Sequence, residues 1–461
     1  MIDQLTAARR LAVVAATVVA AAACGEAGAP PAPTVNAGVP AVLGAFAQTA
    51  DPALAVDPET GDLLMSWLGE IDGEWNLYFA RSPDGGATFG PFTVVNDVPG
   101  EPYPHAEGAP RLVAAPGVVA LFWNDRSVVE GRTFAASNLR FARSTDGGST
   151  WTPAITLQDP LEFEGLPPRG NSFFGAAWAG GTTLAVGWID GREADRRRVA
   201  RGIAAGLPEA EAARQVETFT NTDDPHDTDA VLYAAISHDL GATWEPTNTA
   251  TYPNVCNCCR VTMVVDGNGD LVAGWRRHGE GGVRDLVVGR LLDAEGRAAV
   301  DRAVPIHEDG WVISGCPHSG PGLAVDASGT LHATWYTGAT GRMGVYYARR
   351  PRGAADFGDP VAIVTGDAIP VANPAVAALA DGGALIAHNV DAEGRRVIAL
   401  TGISAGGQVT FQHTVASSDN GTHPQMSLLP DGRVFVAWTE SRDGLERIRT
   451  ATVSMPTGTG S

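Results

Sequence analysis

Four cysteines stand in two short segments where their thiols could bind one another or a metal ion. Cys256, Cys258 and Cys259 occur in VCNCCR, and Cys316 occurs in SGCPHSG, two residues before His318. In an exported protein, an even number of cysteines favours disulfides. Thiolates joined by His318 would instead form a site for Cu(I) or Zn²⁺, and free thiols are the third alternative. Apart from this Cu or Zn site, the sequence indicates no required cofactor.

The basic residues are all arginine, and several of them follow an acidic residue that comes soon after a tryptophan. The chain has 32 Arg and no Lys against 52 acidic residues, for a formal net charge of −20. Because neutralising a phosphate backbone needs a densely basic surface, this balance argues against a nucleic-acid partner. The Asp125-Arg126 and Asp190-Gly191-Arg192 segments show the recurring pattern. Such pairs are either turn salt bridges, worth about 0–1 kcal/mol each when exposed, or the lining of a polar pocket.

The elements that must position these residues are short strands in a repeated unit. One phrase, a turn followed by four or five apolar residues and usually a Trp, occurs seven times: GDLLMSW, GVVALFW, TTLAVGW, GDLVAGW, GTLHATW, GALIAHN and GRVFVAW. A short apolar run precedes each phrase, and an alternating run such as NLYFARS follows several of them. Alternation with period two and Gly-rich punctuation are typical of strands. The 56 Gly and 31 Pro residues also disfavour a mostly helical protein.

Repetition of four-stranded units around an axis predicts an all-β propeller, with seven blades and six as the alternative. The last repeat has three clear strands, so we expect residues 35–43 to supply the fourth and close the ring. Residues 192–218 interrupt one repeat with an Ala, Glu and Arg-rich sequence that favours one or two helices. Its arginines could form either a solvated face or a lid over an anionic ligand.

Three turns between third and fourth strands share the pattern S-x-D-x-G-x-T-[WF]. They contain Asp84, Asp146 and Asp239. The Asp accepts hydrogen bonds from turn amides, Gly adopts positive φ, and the aromatic ring packs between strands. These segments resemble the Asp box of the sialidase (BNR-repeat) superfamily, over about residues 45–453. The resemblance implies that the three aspartates are structural and lie on the face opposite the ligand site.

Strand order then assigns candidate site residues to the face opposite the Asp boxes. Loops that precede innermost strands and loops that join second to third strands both lie there. We predict that the following residues bind a ligand: Arg111, Arg126, Arg192, Arg260, His318 and His423. Sialidases use an arginine triad, a Tyr–Glu pair and an Asp, and their first Arg sits in an Arg-Ile-Pro motif that this chain lacks. Tyr336, Asp125 and Asp190 are the catalytic candidates, although none matches the family's pattern.

The N-terminus resembles a bacterial lipoprotein signal. Arg9 and Arg10 precede an apolar run that ends at Cys24, and thirteen residues are too few to span a bilayer. We expect a signal peptide over residues 1–23, lipidation of Cys24, a tether and closing strand over 24–44, the propeller over 45–455 and a flexible tail over 456–461. An ordinary secretory peptide is the alternative. Both predict export, and the first predicts anchoring in the bacterial cell envelope, in the periplasm or at the cell surface.

Two classes of function are consistent with these features. The first is a lipid-anchored monomeric propeller that binds a glycan, a small anionic ligand or an envelope protein and meets the membrane only through its anchor. The second is a glycoside hydrolase of the sialidase type with a diverged active site. A copper- or zinc-binding envelope protein is a further alternative. We favour the first, because the scaffold motifs are present and the catalytic motifs are absent.

Overall fold

Each sequence repeat folds into one four-stranded antiparallel sheet, and seven such sheets form the blades of a propeller. The structure is a computed structural model that describes residues 32–126, 137–159, 173–224, 226–227, 229–367, 369–415 and 418–455. The innermost strands of successive blades contact one another all the way round, including the first with the last. The predicted seven-bladed fold is therefore confirmed, and the six-bladed alternative is wrong.

Within a blade the strands run from the channel outwards in chain order. Blade 1 consists of β2–β5, which span Gln48–Val56, Leu63–Ile71, Glu74–Ser82 and Thr93–Val94. Blade 2 consists of β6–β9, which span Arg111–Ala115, Val118–Asn124, Leu139–Ser144 and Ile155–Thr156. Blade 3 consists of β10–β13, which span Phe174–Trp178, Leu184–Asp190, Ala230–Ser237 and Thr249–Val255. Blade 4 consists of β14–β17, which span Thr262–Val265, Leu271–Arg276, Leu286–Leu292 and Val304–Pro305. Blade 5 consists of β18–β21, which span Gly322–Val325, Leu331–Thr337, Gly344–Arg350 and Val361–Thr365. Blade 6 consists of β22–β25, which span Ala375–Ala378, Ala384–Ala392, Arg395–Ile403 and Val409–Thr414.

The seventh blade joins the two ends of the described chain. It consists of β26 (Gly421–Leu428), β27 (Val434–Arg442) and β28 (Leu445–Ser454), with β1 (Thr34–Gly38) paired to β28 as the outermost strand. The predicted closing strand is present, but it ends at Gly38 and not at Leu43. Pro40 starts a 3₁₀ turn over Ala41–Ala45, whose Leu43 packs beneath blade 1. Proline offers no N–H to continue the ladder, so the chain leaves the sheet there.

The repeated phrase supplies the second strand of every blade. Its terminal Trp is almost completely buried in six blades, at Trp67, Trp123, Trp188, Trp275, Trp335 and Trp438. In blade 6 the equivalent residue is Asn389, whose Nδ2 donates to the Gly421 carbonyl of blade 7 at 2.7 Å. Because this strand lies in the middle of its sheet and between neighbouring blades, it is apolar on both faces.

Each Asp box closes its own turn and accepts a hydrogen bond from an arginine of the preceding blade. Asp146 accepts from Ser144 Oγ at 2.7 Å, from the Thr150 N–H at 2.9 Å and from Thr150 Oγ1 at 2.6 Å. The Asp84 and Asp239 boxes repeat this pattern. Arg143 of blade 2 also donates to the Leu240 carbonyl in the box of blade 3, at 2.9 Å.

Two helices occupy the predicted insertion. α1 spans Arg192–Ala204 and α2 spans Glu209–Arg214, followed by a 3₁₀ turn over Val216–Phe219. Acidic residues in the first turn of α1 and Arg201 in its last turn complement the helix dipole. The helices pack on each other through a small apolar cluster around Val199 and Ala212. None of the helices in the described part of the chain has the length and apolar character of a membrane span.

Candidate functional site

The central channel contains a half-buried arginine, Arg111, and a buried one, Arg260, on the face opposite the Asp boxes. Arg111 is the first residue of β6, and Arg260 stands two residues before β14. Both line one cavity of about 160 Å³, together with polar groups of Thr262 and Gln425 and the apolar Met263. Two of the six predicted ligand-binding residues are therefore brought together at one point.

These arginines have no carboxylate within 4.0 Å among the described residues. Arg111 Nη1 donates to the Ala109 and Pro110 carbonyls at 2.5 and 3.2 Å, while its Nη2 is buried without a hydrogen-bond partner in the described chain. Burial, with the nearby charge of Arg260, lowers the pKa of Arg111 to about 9. Burial likewise lowers the pKa of Arg260 to about 10. Both remain cationic at neutral pH, and an anion would relieve the cost of burying their charge.

A buried carboxyl group, Asp51, lies close to Arg111. It is 4 % exposed, has a φ of +54° within a bulge of β2, and accepts from the His105 N–H at 2.7 Å. Burial raises the pKa of Asp51 to about 7; the nearby Glu446 and Glu107 charges also raise it, and the His105 hydrogen bond and Arg111 only partly offset this. Positive φ is strained for a residue with a Cβ, and such strain clusters at functional sites.

Histidines and an asparagine line a second cavity of about 230 Å³ on this face. His423 has a φ of +52°, and its Nε2 lies 3.0 Å from Asn373 Nδ2 and 3.6 Å from a Glu107 carboxylate oxygen. Asn373 Nδ2 also donates to the His318 carbonyl at 2.8 Å. Burial lowers the pKa of His423. The side chain of His318 is exposed beside this cavity.

The cysteine segments also meet on this face. Cys256, Cys258 and Cys259 are buried, and the Cys256 sulfur lies 3.6 Å from each of the other two. Cys316 is exposed and, with His318, brings its ligand atom within 4.8 Å of the Cys258 sulfur. A separate group, His226, Asp229 and His278, also brings three ligand atoms within 4.8 Å of one another.

The remaining predicted arginines lie elsewhere. Arg192 is buried in an ion pair with Asp190, 2.7 Å apart, and its guanidinium lies over the Tyr233 ring at 4.3 Å. Asp190 also accepts from the Trp188 indole N–H at 2.8 Å, so this pair acts as a turn salt bridge. Arg126 is exposed and stacks over Tyr103, 5.5 Å from its centroid.

The catalytic candidates Asp125, Asp190 and Tyr336 line neither of the two cavities described above. Asp125 accepts from the Asn138 N–H at 2.6 Å and from Asn138 Nδ2 at 2.8 Å, which braces a loop. Tyr336 is 2 % exposed, packs on Trp311 and donates to the Ile369 carbonyl at 3.3 Å. In the described chain these side chains make turn-closing and packing contacts, and their catalytic role stays a prediction.

The arginines of the insertion are largely used within the insertion and its flank. Arg198 lies 3.2 Å from Asp195 and 3.4 Å from Asp227, and Arg201 lies 2.6 Å from Asp227. Because these arginines are paired with aspartates, their charges are neutralised and are not presented to an anion, as a lid would require. The predicted signal peptide, Cys24 and the tail from 456 lie outside the described residues.

Sequence reasoning missed four polar residues around the channel, namely Asp51, His105, Glu107 and Asn373. Asp51 and His423 share a signal that could have been read, since each precedes a Pro inside an otherwise strand-like innermost segment, as Asp51-Pro52 and His423-Pro424. A charged residue followed by Pro breaks the strand pattern and predicts a bulge.

No protein-family model matches this chain, and no curated protein matches it. Among solved structures it is similar to the BP39L lectin of Burkholderia pseudomallei, at 12% identity and TM-score 0.53, over 89% of this chain and 99% of the lectin. It is also similar to a Hadza microbial sialidase, at 14% identity and TM-score 0.44, over 79% and 67% of the two chains. A third is the GH93 α-L-arabinofuranosidase of Fusarium graminearum, at 13% identity and TM-score 0.46, over 88% and 93%. At these identities the likeness is one of fold, the sialidase-like β-propeller.

Proposed function

We propose that the protein binds the anionic group of a saccharide in the central channel, through Arg111 and Arg260. The observation that carries this proposal is the pairing of Arg260, which is buried, with Arg111, whose Nη2 is buried without a hydrogen-bond partner; neither has a carboxylate within 4.0 Å in the described chain. Such groups favour carboxylate or sulfate, which accept charge-assisted hydrogen bonds from arginine. An acidic sugar carries such a carboxylate or sulfate on a small, polar ring.

The size of the site supports recognition of one charged sugar unit. The arginine cavity has a volume of about 160 Å³, and the histidine-lined cavity on the same face has about 230 Å³. Pockets for drug-sized ligands are about 300–1,000 Å³. A carboxylate or sulfate would occupy the arginine cavity, and the Asn373 and His423 groups could hydrogen-bond hydroxyls above it.

The fold and the aromatic residues on this face support a saccharide over another anion. A lectin shares the fold, and Tyr103, His105, Phe173 and His318 form a chain of rings whose successive centroids lie 5.6–6.1 Å apart. Aromatic rings offer apolar faces on which a sugar ring can pack.

Asp51 gives a second candidate function, hydrolysis or elimination at a glycosidic bond. A buried carboxyl with a pKa of about 7, close to an arginine, has the protonation behaviour of a general acid or base. In this alternative Asp51 takes the place of the catalytic candidates that the sequence suggested.

Export and lipid anchoring at Cys24 are part of the proposal and place this face outside the cytoplasm. Mass analysis of the mature N-terminus from bacterial membranes should show cleavage before Cys24 and an acyl mass on its thiol. An unmodified N-terminus at another position would remove the anchor and leave the binding proposal intact.

Binding is tested on an array of sialylated, uronate-containing and sulfated oligosaccharides with neutral counterparts, followed by titration calorimetry on any hit. We expect acidic sugars alone to bind, and Arg111→Met and Arg260→Met each to weaken binding by about tenfold or more. Arg143→Ala, an arginine on the Asp-box face, is the control and should bind normally. Equal binding of neutral sugars, or normal binding by both Met variants, would overturn the proposal. Turnover of a bound sugar that is lost in Asp51→Asn would establish the enzymatic alternative.

A further inference from the structure

The geometry points to a binding site for a thiophilic metal ion, Cu(I) or Zn²⁺, at Cys256, Cys258 and Cys259, which Cys316 and His318 complete on the exposed side. These residues come from two segments: the turn that leads into blade 4 and the loop that leads into blade 5. The tertiary fold brings them together across 57 residues or more of sequence.

The spacing of the buried sulfurs suits one ion held between them. Cys256 Sγ lies 3.6 Å from both Cys258 Sγ and Cys259 Sγ, and the three sulfurs all lie within 4.8 Å of one another. A zinc–thiolate bond is about 2.3 Å long, so two thiolates of a tetrahedral site lie about 3.8 Å apart. A covalent disulfide needs about 2.05 Å. An ion at the centre of the triad therefore requires little movement of the chain.

A guanidinium group lies beside the buried triad. Arg284 Nη1 donates to Cys256 Sγ at 3.1 Å, and the charge of the nearby Arg276 acts in the same direction. Three thiolates around a monovalent or divalent cation carry net negative charge, and a neighbouring guanidinium offsets it.

The site is braced by main-chain contacts that do not depend on a metal. The Cys256 N–H donates to the Arg276 carbonyl at 2.9 Å. The Arg276 guanidinium in turn donates to the Ser319 carbonyl at 3.0 Å and to the Tyr336 carbonyl at 3.1 Å. One buried side chain thus ties the loop of Cys256 to the loop of Cys316 and His318. Such preorganisation fixes ligand positions before the ion arrives.

The outer half of the cluster provides access. Cys258 belongs both to the buried triad and to the group of Cys316 and His318, whose side chains are exposed. An ion can therefore be captured by Cys316 and His318 and passed to the triad through Cys258. Soft sulfur ligands select Cu(I) and Zn²⁺ over Ca²⁺ and Mg²⁺, which prefer oxygen.

The test uses the full chain, purified under reducing and anaerobic conditions and loaded separately with Zn²⁺ and with Cu(I). We expect one equivalent of at least one of these ions to remain after gel filtration, measured by elemental mass spectrometry. Co²⁺ substitution should add a thiolate charge-transfer band. The ion should protect the buried thiols from alkylation until a chelator removes it.

Variants locate the ion. Cys259→Ser should weaken binding by more than about 100-fold, beyond the range typical of outer-shell changes. Cys316→Ser, at an exposed position, should fold normally and slow loading or weaken binding less. His226→Ala is the matched control, because it removes the separate cluster of His226, Asp229 and His278 and should leave binding unchanged.

Four results would overturn the proposal. The first is that the reduced protein retains no ion, and the second is that Cys259→Ser, shown by circular dichroism to be folded, binds the ion as well as the wild type. The third is that His226→Ala loses the ion. The fourth is that mass spectrometry of the native protein finds these cysteines joined as disulfides. If Cys259→Ser fails to fold, the folded Cys316→Ser variant and the alkylation experiment still decide the matter.

Discussion

Charged side chains have opposite surroundings on the two faces of the propeller. On one face the Asp-box carboxylates are satisfied within their own turns, and hydrogen bonds from Thr and Ser hold the pKa of Asp84, Asp146 and Asp239 at about 2. On the other face burial raises the pKa of Asp51 to about 7 and lowers that of Arg111 to about 9. Charge that is satisfied locally builds the fold, whereas charge that is buried without a partner indicates a ligand.

The largest expected effect separates binding from stability on the channel face. Arg260→Met should weaken binding of an acidic oligosaccharide by about 10- to 150-fold for each charge-assisted hydrogen bond lost, because such a bond contributes about 1.5–3 kcal/mol. The same change removes a buried cation without a partner, so the free energy of unfolding should rise or stay constant. Calorimetric titration measures the affinity, and urea unfolding of the same samples measures the free energy of unfolding. A variant that binds poorly because it is less stable would break the comparison.

On the Asp-box face, a substitution should lower stability and leave binding unchanged. A Cβ at Gly148 would lie 2.0 Å from a ring carbon of Phe79, and the φ of Gly148 is +92°. Gly148→Ala should therefore lower the free energy of unfolding by about 2–3 kcal/mol. Saccharide affinity of the folded protein should stay within a factor of two or so of the wild type. Gly117→Ala, also at positive φ but with open space around the new Cβ, isolates the steric part of the loss.

The pH dependence of stability should have opposite signs on the two faces. Asp51 holds its proton more tightly in the folded protein than in the unfolded chain, so its contribution falls as the pH rises from about 4 to about 7. The Asp-box aspartates, with pKa values of about 2, contribute above pH 4 and lose that contribution as the pH falls towards 2.

Asp51→Asn isolates the first of these effects. The difference in unfolding free energy between Asp51→Asn and the wild type should increase in favour of the variant between pH 4 and pH 7, with Arg111, Glu107, Glu446 and His105 unchanged around it. Urea unfolding at intervals over pH 3–8 measures this difference. A constant difference would show that Asp51 titrates normally in the folded protein.

The smallest expected effect concerns the contacts between neighbouring blades. Arg143 donates to the Asp239 and Leu240 carbonyls of the next blade at 3.3 and 2.9 Å. Arg143→Ala should cost about 0.5–1.5 kcal/mol in unfolding free energy and leave saccharide affinity unchanged. Thermal unfolding detects the loss, and an affinity change would mean that the two faces are coupled.

Much of the fold follows from local patterns. The alternating runs, the buried Trp in the second strand of six blades and the Asp boxes each depend on residues that are close in sequence, so they can be read without tertiary information. The helices of 192–214 follow in the same way from composition. The end of the closing strand at Gly38 was missed because its partner, β28, lies more than 400 residues away.

The candidate site, like the fold, could be predicted from the sequence only in part. The sequence marked Arg111, Arg260, His318, His423 and the cysteines, because strand order assigns them to one face. It did not distinguish Arg260, which has no carboxylate within 4.0 Å among the described residues, from Arg192, which Asp190 neutralises 2.7 Å away. Asp51 was overlooked because its pKa depends on burial by neighbouring blades and on the charges of Glu107 and Arg111.

The sequence by itself therefore determined the seven-bladed architecture and the face on which polar residues gather, because both depend on short-range periodicity and chain order. The tertiary structure alone decided which charges lack a partner and which thiols meet. Burial and ion pairing are properties of neighbours in space, and in a propeller those neighbours come from different blades.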